Sequence, residues 1–152
     1  MRTDRWRAWF AALLLAPASG WAACLVSAPN LSFGVYDGLS GAPATTSAVA
    51  VVTCDLSPPP TVALMIGPSS VSGGFFPRRM RRDGASDTLA YNFYVDPGGA
   101  SVWGDGTGGT AIRSQRVFKN SPWSATIYGR IPAGQDVAAG TYSDLITLTI
   151  NF

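Results

Sequence analysis

Apolar and polar residues alternate with a period of two through most of this chain. Leu31, Phe33 and Val35 alternate with Ser32 and Gly34, and Val62, Leu64 and Ile66 with Thr61 and Ala63. Leu89, Tyr91, Phe93 and Val95 form a third set, and Ala125, Ile127 and Ile131 a fourth. Ile146, Leu148, Ile150 and Phe152, set against Thr147, Thr149 and Asn151, form the last. Successive side chains on a strand leave opposite faces, so each set predicts a half-buried strand. Residues 48–54 (AVAVVTC) are apolar on both parities, which predicts a strand deep in a sandwich.

Between these segments the punctuation is strong. Residues 57–60 (SPPP) place three prolines in a row, and neither a helix interior nor a central strand tolerates three missing donors. Residues 96–99 (DPGG) and 104–109 (GDGTGG) are turn sequences, and Gly84, Gly134 and Gly140 mark further bends. No segment after the first 22 residues has a convincing helical period. Six to eight strands with this spacing predict one all-β domain, an antiparallel β-sandwich with Ig-like topology.

The N-terminus follows a different logic. Arg2, Arg5 and Arg7 precede an apolar run at residues 8–16 (AWFAALLLA), and residues 17–23 are a small-residue zone, the layout of a secretory signal peptide. The run is about half of the ~20 residues that a membrane span needs. Cleavage after Ala22 fits best, with Ala18 as the second option, so residues 1–22 are read as signal and 23–152 as the domain. The signal carries three of the chain's 11 basic residues and one of its 9 acidic ones, leaving eight of each. The exported chain is formally neutral, which gives no footing for nucleic-acid or membrane-surface binding. All its acidic residues are Asp, and Lys119 is its only Lys, a poor composition for helices.

Two cysteines remain, Cys24 and Cys54, and an even pair in an exported chain reads as a disulfide. A lipid-accepting Cys24 is the alternative. Trp21 fits that signal poorly, and lipidation would leave Cys54 without a partner.

The chemistry expected of an enzyme is missing. The chain has no His, which removes the commonest general base and metal ligand, and no phosphate- or dinucleotide-binding fingerprint occurs. We therefore expect no enzyme, cofactor or metal. Asp96 and Asp105 lie in Gly-rich loops without the spacing of a calcium loop, and read as turn residues. Trp103 and Trp123 read as packing residues in preference to a carbohydrate platform. Arg78, Arg79, Arg81 and Arg82, preceded by Phe75 and Phe76, read as a solvated loop. They are also the best candidate for a surface-contact loop.

In order, Cys24 with residues 31–36 (LSFGVY), residues 51–54 (VVTC), Arg79-Met80, residues 89–96 (LAYNFYVD), 103–106 (WGDG), 128–132 (YGRIP) and 140–144 (GTYSD) resemble the spore coat protein U domain family, the secreted pilin-like subunits of archaic chaperone–usher pili. The resemblance covers nearly all of residues 24–152. It implies an Ig-like sandwich lacking its last strand, with an apolar groove beside the final one. A periplasmic chaperone fills that groove, an outer-membrane usher exports the subunit, and a neighbouring subunit supplies the missing strand in the fibre. On this reading Ile146, Leu148, Ile150 and Phe152 line the strand-exchange groove, with the Phe152 carboxylate held by the chaperone. The protein passes through the periplasm to a surface pilus serving attachment or biofilm formation. A stand-alone secreted domain that binds a surface or carbohydrate is the other reading. Cleavage after Ala22 would leave only Ala23 ahead of Cys24, so the chain is expected to accept a strand without donating one, as a subunit at the fibre tip would.

Overall fold

A computed structural model describes residues 23–152; the signal peptide read at residues 1–22 lies outside the described residues. Nine strands form: β1 (Cys24–Ser27), β2 (Ala44–Cys54), β3 (Thr61–Ile66), β4 (Arg78–Arg82), β5 (Thr88–Tyr94), β6 (Arg113–Arg116), β7 (Trp123–Ile131), β8 (Tyr142–Ser143) and β9 (Leu148–Asn151). Two sheets result, one of six strands in the order β1-β2-β7-β5-β4-β8 and one of three in the order β6-β3-β9. Every ladder between these strands is antiparallel. Among the described residues no helix forms, so none is long and apolar enough to cross a membrane.

The alternating segments supply the facing layers. Val62, Leu64 and Ile66 of β3 meet Ala50 and Val52 of β2, Ala125, Ile127 and Ile131 of β7, and Leu89, Tyr91 and Phe93 of β5 in one buried core. Trp103 and Trp123 are buried there as well, and the Trp103 indole donates to the Leu64 carbonyl at 3.0 Å. At roughly 1.5–3 kcal/mol for each fully buried large apolar side chain, this cluster is the main stabilising term. Residues 48–54 depart from expectation. Only Ala50, Val52 and Cys54 face the core, and Val49 is 43% exposed, because among the described residues no second layer lies over the other face of β2.

The sheets differ in width. With strands ~4.8 Å apart, three strands can cover only about half of six. Part of the remainder is covered by residues 28–37, which form no ladder. This corrects the strand predicted over residues 31–35. Gly34 takes a φ of +71°, which breaks the alternation, so Tyr36 packs inward while Val35 is left 96% exposed. Phe33 sits against β7, where a Cβ on Gly129 would lie 2.9 Å from its ring, and meets Tyr91 edge to face with centroids 5.8 Å apart. A glycine inside a strand weakens it, and the ring of Phe33 occupies the space it leaves. Tyr36 donates to the Pro132 carbonyl at 3.0 Å and accepts from the Gln135 amide at 2.9 Å, which secures the far end of the segment.

Candidate groove and terminal strand

Strand β9 lies at the edge of the narrow sheet. It pairs with β3 from Leu148 opposite Ile66 to Asn151 opposite Ala63, and its other edge has no ladder partner among the described residues. Ile146, Leu148 and Ile150 are half-buried against the core, whereas Phe152 is 58% exposed. The four groove residues read from the sequence thus separate into three on the core side and one beyond the ladder. Where the narrow sheet stops covering the wide one, a cavity of about 610 Å³ opens. Its floor is Met80, Leu89 and Ile131, and its walls include Leu31, Phe33 and Tyr142.

Asp144 fixes the chain as it crosses from the wide sheet to β9. One carboxylate oxygen accepts from the Ser70 amide at 3.1 Å and the Ser70 hydroxyl at 2.7 Å, and the other accepts from the Tyr91 phenol at 2.8 Å. Burial, then the hydrogen bond to Asp144 and its negative charge, push the Tyr91 phenol far above its ordinary value. The Gly67 amide continues the crossing by donating to the Thr147 carbonyl at 2.8 Å. In the sequence Asp144 stands out only as the end of the 140–144 motif and receives no role there, because its partners Ser70 and Tyr91 are distant along the chain.

The arginine run is not the solvated loop read from the sequence. Residues 78–82 are strand β4, and Arg78 is 0% exposed, so it is withdrawn as a surface contact. Opposite Tyr91, Arg78 takes the core-facing parity. Its guanidinium donates to the carbonyls of Ile66, Gly67 and Trp103 and to the Asn92 side chain, between the rings of Phe75 and Phe93 at 5.1 and 5.3 Å. Burial draws its pKa down to about 10, against the opposing charges of Tyr91 and Asp144, so it stays charged at neutral pH. Buried charges persist only when their donors are satisfied, and here backbone carbonyls do that. Arg79 and Arg82 are half-buried, and Arg82 pairs with Asp87 at 2.7 Å. Arg81 and Phe76 are exposed, Phe75 half-buried, so any contact surface on this edge reduces to Phe76 and Arg81.

The cysteines and the loop aspartates stand as the sequence implied. Cys24 and Cys54 are bonded. The Asp55 amide donates to the Ala23 carbonyl beside them, so the pair occupies a non-hydrogen-bonded position, where opposite Cα atoms come closest. Asp96 accepts from the Ala100 and Ser101 amides, and Asp105 from the amide and hydroxyl of Thr107. These bonds hold both carboxylates below their usual range. Among the described residues no group of three potential ligands could hold a metal ion.

The spore coat protein U domain model matches residues 10–149, nearly the whole chain. The chain belongs to that family. Protein U of Myxococcus xanthus is 33% identical over 135 residues, which covers 81% of this chain and 72% of the relative. In fold, this spore coat U domain resembles the tip subunit in the CsuC–CsuE chaperone–tip adhesion subunit pre-assembly complex of archaic chaperone–usher Csu pili from Acinetobacter baumannii. The TM-score is 0.60 at 18% identity, covering 87% of this chain and 40% of that one. The domain therefore spans less than half of that solved chain, and at this identity the likeness is one of fold. The antiparallel sandwich expected from the alternation is the pilin-like fold.

Proposed function

We infer that this spore coat U domain is a non-catalytic, exported pilus subunit that assembles by strand addition along the free edge of β9. The observation that carries this reading is the edge itself. Ile146, Leu148 and Ile150 form an apolar row packed on the core, and among the described residues the backbone of β9 is bonded on one side only. An added strand would satisfy the unpaired backbone groups and set alternate side chains beside the apolar row. Three or four such side chains at roughly 1.5–3 kcal/mol each suffice to hold subunits together without a covalent bond. A periplasmic chaperone would occupy the edge in transit, an usher would export the subunit, and a neighbouring subunit would take the chaperone's place. The disulfide agrees with an oxidising compartment.

The tip of the fibre is the position this reading favours. Residues 24–27 are held to β2 by the ladder and the disulfide, so they are committed to the fold and not free to complete a neighbour. Phe76 and Arg81 would then face outward for attachment.

The test is expression in the periplasm with and without a pilus chaperone. The expected result is a soluble one-to-one complex with the chaperone and degradation or aggregation without it. A stable monomer that ignores both chaperone and donor peptide would point instead to a self-sufficient secreted binding domain.

A further inference from the structure

The outer face of the wide sheet carries a cluster that strand addition does not use. Tyr94 on β5 stands directly opposite Tyr128 on β7, and Tyr128 is opposite Ser47 on β2. Arg130, two residues along β7, is opposite Thr45. Together with Asp96 these residues line an open cleft of about 370 Å³, at the lower end of the ~300–1,000 Å³ common for ligand sites.

What separates this cluster from the rest of the surface is its unused hydrogen-bonding capacity. The chain has five tyrosines. The hydroxyls of Tyr36, Tyr91 and Tyr142 each donate to a protein oxygen, at 3.0, 2.8 and 2.8 Å. Those of Tyr94 and Tyr128, the facing pair, have no hydrogen-bond partner among the described residues. Neither has the Arg130 guanidinium, although it is held in place: a Cβ on Gly99 would lie 3.3 Å from its Nη1 and 3.7 Å from the Tyr94 ring. Asp96, which also lines the cleft, makes no ion pair with it, its carboxylate oxygens accepting from the Ala100 and Ser101 amides.

We propose that this cleft binds an acidic sugar unit of a polysaccharide, a hexuronate. A tyrosine ring offers a flat apolar surface with a polar tip, which suits the C–H face of a pyranose together with its hydroxyls. A guanidinium with no acidic partner suits a carboxylate, which it can hold with two parallel N–H···O bonds. Ser47 and Thr45 present hydroxyls on the same face for the ring oxygens and neighbouring hydroxyls. An acidic sugar gains a charge-assisted bond to the Arg130 guanidinium, which forms no ion pair among the described residues, and a neutral sugar lacks that bond. This face is the outer side of the wide sheet, away from the free edge of β9, so a bound sugar and an added strand do not compete.

The secreted full chain, free or chaperone-bound as recovered, is titrated with a short oligogalacturonate and with a neutral oligoglucoside, using calorimetry and amide chemical shifts. Saturable binding of the acidic oligomer is expected, weakening with added salt, with shifts confined to β7 and the adjoining parts of β2 and β5. Arg130→Gln and Tyr128→Ala should each weaken binding about tenfold or more, one charge-assisted or stacking contact's worth. Tyr128→Phe, which keeps the ring, should lose less. Thermal unfolding of each variant checks that the sheet is intact, and Thr149→Asp, on the exposed parity of β9, should bind the sugar as the parent does. No saturable binding, equal affinity for the neutral oligomer, or unchanged affinity in both Arg130→Gln and Tyr128→Ala would overturn the proposal.

Discussion

The Tyr91 phenol donates to the Asp144 carboxylate at 2.8 Å, joining the centre of the wide sheet to the turn that launches β9. Tyr91 also meets the ring of Phe33, so one residue touches both the crossing to β9 and the segment that closes the sandwich. Its raised pKa has a consequence for stability. The folded state holds the proton more tightly than the unfolded chain, so its stabilising contribution is complete below the ordinary value near 10 and is lost as pH climbs above it. Stability should fall by up to about 1.4 kcal/mol per pH unit in that window. Denaturant melts of the parent and Tyr91→Phe between neutral pH and pH 11 check this: the parent should show the steeper alkaline loss. Parallel curves would mean that Tyr91 ionises normally.

Reduction of Cys24–Cys54 should destabilise the domain without rearranging it. The bond closes a loop spanning a sequence separation of 30, worth about 3–4 kcal/mol in the chain-entropy model. The oxidised chain should weigh two hydrogens less than the reduced one by mass spectrometry and carry no lipid. The double Cys→Ser variant should unfold at correspondingly lower denaturant. A lipid on Cys24 or a free thiol at Cys54 would contradict the assignment.

Arg78→Leu should be among the most damaging single changes in the chain. It removes a satisfied cation and leaves the carbonyls of Ile66, Gly67 and Trp103 without this donor. A loss of about 3 kcal/mol or more is expected, because each buried acceptor left unsatisfied costs about 1–3 kcal/mol. Arg81→Leu, exposed on the same strand, should change stability by under about 0.5 kcal/mol. Equal midpoints for the two variants in a denaturant series would refute this contrast.

Leu148→Asp and Ile150→Asp bear on strand addition. Each puts a charge on the core-facing side of β9, so chaperone capture in a pull-down should fall about tenfold or more. Thr149→Asp, on the exposed parity of the same strand, should be captured like the parent. Capture that is indifferent to parity would remove the groove from the mechanism.

The segment pattern was legible without coordinates because period-two alternation reports burial directly. β3, β5 and β7 appear where Val62–Ile66, Leu89–Phe93 and Ala125–Ile131 alternate, and the Gly-Pro clusters between them became turns. Cys24 and Cys54 were legible for a similar reason, since a pair of thiols in an exported chain has few alternatives. The ordered motifs were enough to indicate the spore coat U family.

What the tertiary structure decided concerns residues whose environment comes from distant neighbours. Local chemistry makes residues 78–82 a charged run, yet the register opposite Tyr91 turns Arg78 inward, where carbonyls from β3 and the Trp103 turn satisfy it. Alternation made residues 31–35 a strand, but Gly34 at positive φ and the space above Gly129 make them a plug over an uncovered sheet. Asp144 was the end of a motif without a role until folding placed Ser70 and Tyr91 beside it. A sequence pattern records which side of its own strand a residue prefers. Which strand lies across from it depends on the pairing of segments far apart in the chain, and among the described residues that pairing gives β9 a ladder on one edge only.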